Sequence, residues 1–231
     1  MKQFLLSALL LPTLLFSQPF DSYVRNLYDV SSLNGVLSYT LFYESLLGFY
    51  NLKVERGLSA DLLVIVDFRQ ASREKRFYVY DFKKRLIIYR TWVAHGINSG
   101  RKYAFNLSND KGSLKSSNGF YVTRGTYMGR NGLSLNIEGL DIGTNDNASE
   151  RRIVIHGADY VKADSVGHSE GCLALPMDVS DEIINEIKDG VCLYVRGVLS
   201  APKSKYLNKK DAERYFRIME VSNQLLNLME E

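Results

Sequence analysis

One stretch of the sequence, from His156 to Cys172, contains the side chains best suited to covalent chemistry. Cys172 follows Ser169-Glu170-Gly171, so a thiol stands directly after a glycine. A thiol reacts as the thiolate, and a neighbouring base such as the imidazole of His156 can remove its proton. The glycine allows a sharp turn in which consecutive N–H groups point at a developing oxyanion. These residue types predict a cysteine acyltransferase.

The same residues allow other interpretations. An arbitrary cysteine and histidine are more often a buried thiol and a hydrogen-bonded core imidazole, and Cys172 could form a disulfide with Cys192 in an oxidising compartment. His168 is nearer to the thiol in sequence and is an alternative base. His156, His168 and Cys172 could together bind zinc in a metallopeptidase, although the sequence has neither a His-Glu-x-x-His nor a paired Cys-x-x-Cys motif. An inactive envelope-binding domain is a third class, and the retention of both His156 and Cys172 argues against it.

Composition and charge are ordinary for a soluble globular protein, and the first residues predict that it is exported. Hydrophobic residues make up 45% of the 231 residues, which is ordinary for a soluble domain with a core, and the net charge of +3 is too small to predict a nucleic-acid partner. Met1-Lys2-Gln3, the apolar run Phe4 to Phe16 and Ser17 are typical of a secretory signal peptide, which we place at residues 1–17. The run is shorter than the about 20 residues that a spanning helix needs. We expect a periplasmic or secreted, envelope-associated protein with no integral membrane segment after signal cleavage.

The remaining sequence predicts a β-rich domain between helices. Apolar residues at helical spacing indicate an N-terminal helical segment over 18–61, and a C-terminal helix that begins at Asn208 lies within 200–231. The domain over 62–199 includes a helix at Asp178–Asp189, ended by Gly190. Its expected strands are Leu62–Phe68, Arg76–Phe82, Arg85–Ala94, Phe120–Arg124, Leu133–Ile137, Arg152–Ile155 and Val191–Val195. The sequence therefore predicts a mainly β, mostly antiparallel core with flanking α-helices.

Several motifs, in the same order along the chain, resemble the YkuD-like L,D-transpeptidases, envelope enzymes that cross-link peptidoglycan through a catalytic cysteine. The motifs are His156 to Tyr160, Gly171 to Pro176, Val93 to Gly100 and Ser117 to Tyr121. The resemblance extends from about Leu62 to Gly197 and is greatest to a divergent branch with Gly-Cys-x-Ala-x-Pro. It implies an antiparallel, β-sandwich-like core, peptidoglycan stem peptides as partners, and neither cofactor nor metal.

The resemblance implies a role for each matching residue. Cys172 would be the nucleophile and His156 the base, with the backbone carbonyl of Gly157 orienting the other imidazole nitrogen. The N–H groups of Gly171 and Cys172 would form the oxyanion hole, and Ser169 would shape the loop. The enzyme would cleave the bond between an L-configured centre and the terminal D-alanine of a stem tetrapeptide and pass the acyl group to an amine. Attack by water instead would make it an L,D-carboxypeptidase.

Five residues are expected to border the substrate, namely Ser169, His95, Tyr160, Tyr121 and Asn145. Two positions depart from the family pattern, which has His at the position of Glu170 and Arg or Asn at that of Ala174. The second departure removes one expected contact to the donor peptide, for which Arg101, Arg124 and Arg130 are possible replacements. The pair Arg151-Arg152 is interpreted as a solvated strand end.

Overall fold

The chain forms a continuous eight-stranded sheet with flanking helices in the computed structural model, which describes residues 18–58, 60–163, 166–199 and 201–230. The strands are β1 (Leu62–Asp67), β2 (Phe77–Asp81), β3 (Leu86–Thr91), β4 (Gly119–Gly129), β5 (Gly132–Gly139), β6 (Val154–Ala158), β7 (Leu173–Pro176) and β8 (Cys192–Arg196). The helices are α1 (Phe20–Val30), α2 (Tyr39–Glu55), α3 (Met177–Ile187) and α4 (Lys209–Glu230). The expected mainly β core with flanking helices is confirmed, and the signal peptide assigned to 1–17 lies outside the described residues.

The strands are hydrogen-bonded in the order β3-β2-β1-β8-β4-β5-β6-β7. Most neighbours are antiparallel, but β1 with β8 and β6 with β7 are parallel. All eight strands belong to one sheet. The layers that pack on its two faces are therefore helices and loops and not a second sheet. Each of the seven expected strands overlaps an observed one, whereas β7 was not expected. Parallel neighbours need a connection of a dozen or so residues, and the segment 159–172 that joins β6 to β7 ends at Cys172.

The N-terminal helices cover one face of the sheet. The helical spacing after residue 20 belongs to two helices, because the chain turns at 31–38 and α2 begins after Ser38, whose hydroxyl accepts a hydrogen bond from the backbone N–H of Leu41 at 3.3 Å. Gly48 brings α2 close to the sheet, since a Cβ there would lie 1.9 Å from the ring of Phe120. The principal strand contacts of α2 are with β1 and β8.

Helix α3 covers the opposite face at the other end of the sheet. It buries Ile183, Ile184 and Ile187 against a core that includes Ile155 of β6 and Leu175 of β7. Alternate residues of a strand point to opposite faces, so His156 lies on the face that α3 does not cover. Neither α3 nor any other helix in the described ranges is long and apolar enough to cross a membrane.

Candidate active site

His156 stands in the middle of β6 rather than at its end. The sequence predicts that this strand ends at Ile155, next to the histidine, but β6 continues to Ala158 because Gly157 and Ala158 pair with β7. His156 is in register with Ala174 of β7, and paired residues share a face of the sheet. Cys172 precedes Ala174 by two residues, and both His156 and Cys172 line one cleft of about 390 Å³. The structure therefore brings the expected base and nucleophile together.

The imidazole of His156 is held in one orientation by its own strand. Its Nδ1 lies 2.8 Å from the carbonyl oxygen of Gly157, the contact that the resemblance implied. A carbonyl oxygen only accepts hydrogen bonds, so Nδ1 carries the proton and Nε2 is the basic nitrogen. Burial lowers the pKa of His156 below its usual 6.5, and the charge of Arg130 acts in the same direction. The ring is therefore neutral at pH 7 and able to accept a proton.

Cys172 leaves a tight turn closed by Ser169. Gly171 has a φ of +123°, which is strained for other residues, and a Cβ there would lie 2.8 Å from the carbonyl oxygen of Lys115. The Ser169 hydroxyl donates to the Cys172 carbonyl at 2.7 Å and accepts from the Gly171 N–H at 3.1 Å. Ser169 thus shapes the loop as expected. The assignment of the Gly171 N–H to an oxyanion hole is wrong for this conformation, because that donor is already used within the turn.

The thiol of Cys172 is half-buried and bounded by backbone polar groups. Its Sγ lies 3.7 Å from the carbonyl oxygen of Arg152 and accepts a hydrogen bond from the backbone N–H of Val154. Burial raises the pKa of Cys172 above the ordinary thiol value, the charge of Glu170 adds to this, and the Val154 N–H and Arg151 oppose it. At neutral pH the thiol is therefore protonated and the imidazole of His156 is neutral, so the thiol would need a general base in order to react.

The family of this chain is identified by comparison of its sequence with a family model that spans the whole domain. A model of the L,D-transpeptidase catalytic domain matches residues 33–196, which is most of the chain. The chain belongs to this family. The match begins within the N-terminal helical segment, well before Leu62, where the motif resemblance began. None of the curated proteins matches.

Several solved structures are similar to this L,D-transpeptidase family member at low sequence identity. The L,D-transpeptidase from Mycobacterium smegmatis is 12% identical with a TM-score of 0.38, and the match covers 60% of this chain and 59% of that one. The helical cell shape determining protein Pgp2 from Campylobacter jejuni is 14% identical with a TM-score of 0.43, over 71% of this chain and 59% of that one. Bdellovibrio bacteriovorus Bd1075 is 14% identical with a TM-score of 0.41, over 71% and 57%. The chain thus spans about three fifths of the structures that it matches.

The cleft of this family member is lined in part by the segment that leads to Cys172. Tyr160, His168, Ser169 and Glu170 contribute, as do Ile97, Leu114, Arg130 and Asn131. Tyr160 therefore lines the cleft, and its contact with a substrate stays a prediction. Burial raises the pKa of Tyr160 to about 12, so its hydroxyl remains a hydrogen-bond donor. His168, the alternative base, points its Nε2 at the Arg101 carbonyl oxygen at 3.0 Å, and the orienting bond of His156 favours His156 as the base.

His95 does not contact the cleft, and its assignment to substrate binding is wrong. Its side chain is fully buried, with Nδ1 2.7 Å from a guanidinium nitrogen of Arg76 and Nε2 2.8 Å from the Gly100 carbonyl oxygen. Burial, with the charge of Arg76, lowers its pKa to about 4. The backbone carbonyl of His95 accepts a hydrogen bond from the Ser169 N–H at 3.0 Å. The backbone of His95 therefore supports the turn over residues 169–172, which is named the nucleophile turn after the role expected of Cys172.

Tyr121 and Asn145 are also buried and do not line the cleft. The Tyr121 hydroxyl donates to the Ser117 carbonyl oxygen at 3.1 Å. The amide of Asn145 accepts from the Asp141 N–H at 2.8 Å and donates to the Phe120 carbonyl oxygen at 3.0 Å. Their polar groups satisfy the backbone of the turn after β5 and of β4, so both are structural and the expectation of substrate contact is wrong.

The two departures from the family pattern have different surroundings. Ala174 is fully buried and packs with Ala94 and Ala158, whereas Glu170 is exposed at the edge of the cleft. Among the proposed replacements for a basic residue, Arg124 pairs with Glu138, and Arg130 lies in the cleft. Arg130 is thus the candidate that the fold favours.

The alternative interpretations of the cysteines find no support in the geometry. Cys172 and Cys192 are both free thiols, and Cys192 is buried in β8. No group of three His, Cys, Asp or Glu side chains among the described residues is arranged to hold a metal ion.

Arg151 is a further candidate for a functional residue, and the sequence does not indicate it. The pair Arg151-Arg152 was interpreted as a solvated strand end, but Arg151 is only partly exposed and its guanidinium donates to the segment 108–117. That segment packs against the nucleophile turn, since the Ser116 hydroxyl donates to the Gly171 carbonyl oxygen at 3.1 Å. The oxygens that Arg151 binds are distant in sequence, so only the fold could reveal the contact.

Proposed function

We propose that this protein is a peptidoglycan-modifying cysteine acyltransferase that acts as an L,D-transpeptidase. The observation that carries the proposal is the hydrogen bond from His156 Nδ1 to the Gly157 carbonyl, in a cleft shared with Cys172. It leaves Nε2 as a fixed base beside a protonated thiol. A buried structural histidine would have both nitrogens occupied, as His95 does.

The reaction runs in two halves. His156 Nε2 takes the thiol proton while Cys172 Sγ attacks the carbonyl carbon that joins an L-configured centre of the third stem residue to D-alanine. The tetrahedral oxyanion is stabilised by the Cys172 N–H, because the Gly171 N–H is engaged with Ser169. The C–N bond then breaks, D-alanine leaves with the proton from the imidazolium, and a thioester remains. A side-chain amine of a second stem peptide attacks the thioester and releases the thiol, which gives a cross-link.

Transfer to an amine requires that a second peptide can reach the thioester. A second groove near Cys172 supports the transfer reaction. A groove of about 430 Å³ is lined by Tyr127, Asn136, Arg152 and Val154, among others. Val154 shares its face of β6 with His156, and the carbonyl of Arg152 contacts the sulfur of Cys172. Cys172 thus lines the first cleft and contacts Arg152, a residue that lines the second, and we assign one groove to each peptide. An enzyme that only hydrolysed its thioester would need one peptide groove, and L,D-carboxypeptidase activity is the alternative.

A peptidoglycan substrate requires that the protein acts in the cell envelope. Peptidoglycan stem peptides are the partners, and the signal sequence over residues 1–17 fits export to the periplasm or beyond. The acyl chemistry uses groups of the protein alone and calls for no cofactor.

Two experiments test the proposal. A carbapenem β-lactam acylates a thiol of this reactivity, so intact-protein mass should show one adduct on the wild-type protein and on Cys192→Ala, and none on Cys172→Ala. Cys192 is the matched control because it is the other free thiol and lies buried in β8. An adduct on Cys172→Ala would overturn the assignment of the nucleophile.

The second experiment separates the two reactions of the thioester. The protein is incubated with muropeptides that carry tetrapeptide stems, and the products are separated by mass. Cross-linked dimer is expected from a transpeptidase, whereas tripeptide alone identifies a carboxypeptidase. Neither product, together with no carbapenem adduct, would leave only an inactive envelope-binding domain.

A further inference from the structure

Arg151 sits between the nucleophile turn and the segment 108–117. Its Nη1 donates to the Ser108 carbonyl oxygen at 2.7 Å and to the Ser117 hydroxyl at 2.6 Å. Its Nη2 donates to the Ser113 hydroxyl at 3.3 Å and to the Lys115 carbonyl oxygen. One guanidinium therefore fixes four points of a segment that has no regular secondary structure.

The charge of Arg151 is not neutralised where it lies. All four oxygens that it binds are neutral, and no carboxylate within the described residues forms an ion pair with it. Asp110 acts on it only through space. A guanidinium keeps its charge at any physiological pH, so it projects a positive potential into its surroundings.

The thiol of Cys172 lies within reach of this potential, since Arg151 and Cys172 each act electrostatically on the other. A Cβ built on Gly171 would lie 3.4 Å from Arg151 Nη2 and 2.8 Å from the Lys115 carbonyl oxygen that Arg151 binds. The guanidinium is thus packed against the backbone of the residue before the nucleophile. Because the surroundings are partly buried, solvent screens this interaction less than it would at the surface.

We propose that Arg151 is a positioning residue that both fastens the 108–117 segment under the nucleophile turn and favours the negatively charged sulfur of Cys172 through its unpaired charge. This rests on the proposed function only in taking Cys172 as the nucleophile. Burial disfavours the thiolate, and Glu170 at the cleft edge disfavours it further. The charge of Arg151 acts in the opposite direction, as the Val154 N–H does, and so lowers the cost of moving the proton to His156 during attack. The same charge favours the oxyanion that forms at the adjacent carbonyl carbon.

The test measures the pKa of the Cys172 thiol directly. The rate of alkylation by iodoacetamide is followed against pH by mass of the Cys172 peptide, which needs no peptidoglycan substrate. Arg151→Met keeps much of the side-chain volume without charge, and Arg151→Lys keeps the charge but not the planar fork. Arg73→Met is the control, since Arg73 is an exposed arginine outside the cleft.

We expect Arg151→Met to raise the thiol pKa by about half a unit to one unit, a roughly three- to tenfold loss of alkylation rate at fixed pH. Arg151→Lys should keep the wild-type pKa, and Arg73→Met should change nothing. An unchanged thiol pKa in Arg151→Met, with only a lower melting temperature, would overturn the electrostatic role. If Arg151→Met does not fold, Arg151→Gln is measured in its place with the same criteria.

The result is independent of the proposed acyl transfer. If no acyl-enzyme forms on Cys172, the proposed function fails, whatever the pKa of the thiol. If the acyl-enzyme forms but the neutral and charged substitutions at Arg151 give the same thiol pKa, the inference about Arg151 fails alone.

Discussion

Replacing Gly157 by alanine should disturb both stability and catalysis, because this glycine lies where α3 meets β6. A Cβ at this position would lie 2.4 Å from Ser180 Oγ and 2.9 Å from Met177 Sδ. Ordinary contacts between such atoms are about 3.5–4 Å, so α3 and β6 would have to separate by roughly 1 Å. Overpacking of this kind costs about 1–3 kcal/mol of folding free energy. For a domain of this size each kcal/mol lowers the melting temperature by about 2–4 °C.

A displacement of β6 would also move His156, the proposed base. The carbonyl of Gly157 holds His156 Nδ1 at 2.8 Å, so a shift of the strand misdirects Nε2 from the thiol. A misplacement of about 1 Å can cost on the order of a hundredfold in rate. We therefore expect Gly157→Ala to acylate with a carbapenem roughly a hundredfold more slowly, measured by intact-protein mass over time, beside thermal unfolding.

The controls for this prediction lie in the same sheet. Gly125 has no atom within 4 Å of a built Cβ, so Gly125→Ala should be near wild type in both measurements. Removing Ser180 from the contact, in Gly157→Ala/Ser180→Gly, should restore most of the acylation rate relative to Ser180→Gly alone. Equal stability and equal acylation in Gly157→Ala and Gly125→Ala would refute the reasoning.

Three further predictions concern the groups around the thiol. Acylation should fall as the pH drops below the pKa of His156, which burial places under 6.5, and His156→Gln should remove this acid limb from the pH–rate profile. Ser169→Ala removes two hydrogen bonds from the nucleophile turn, and we expect a loss of about 1–3 kcal/mol of stability in urea unfolding with slower acylation. His95 is held neutral with a pKa of about 4, so the unfolded chain binds its proton first as the pH falls below 6.5. Stability should therefore decline from pH 6.5 to 4 by up to about 3 kcal/mol, and His95→Asn should flatten that slope.

The strands that the sequence predicted share strong local signals. Runs such as Leu62–Asp67 and Phe77–Asp81 are β-branched and aromatic and lie between turn residues. Strand β7, Leu173–Pro176, has no such signal because it is four residues long, contains alanine and ends in proline. It exists because it pairs in parallel with β6, which a local pattern does not report.

The residues of the site also differ in how far the local sequence predicts their role. Cys172, His156, Gly157 and Ser169 belong to motifs that are contiguous in sequence, and the structure brings them together. His95, Tyr121 and Asn145 also belong to polar motifs, but their polar atoms bind backbone from remote segments. Residue type does not distinguish a buried polar group that stabilises a loop from one that binds substrate. The partners of the group do, and these are set by the fold.

A basic residue at the position of Ala174 would not fit, because the segment after β3 covers this edge of the sheet. The N–H of Ala94 donates to the Ala174 carbonyl oxygen at 2.9 Å, so the segment after β3 adds to β7 as an antiparallel bridge. The Ala174 side chain is buried beneath this segment with Ala158, and a guanidinium there would have no path to solvent or to a substrate. Under the proposed function, the positive charge that meets the donor peptide comes from another part of the cleft. Arg130, between β4 and β5, lines the cleft close enough to His156 to lower the pKa of that imidazole, so the same charge can meet a substrate carboxylate.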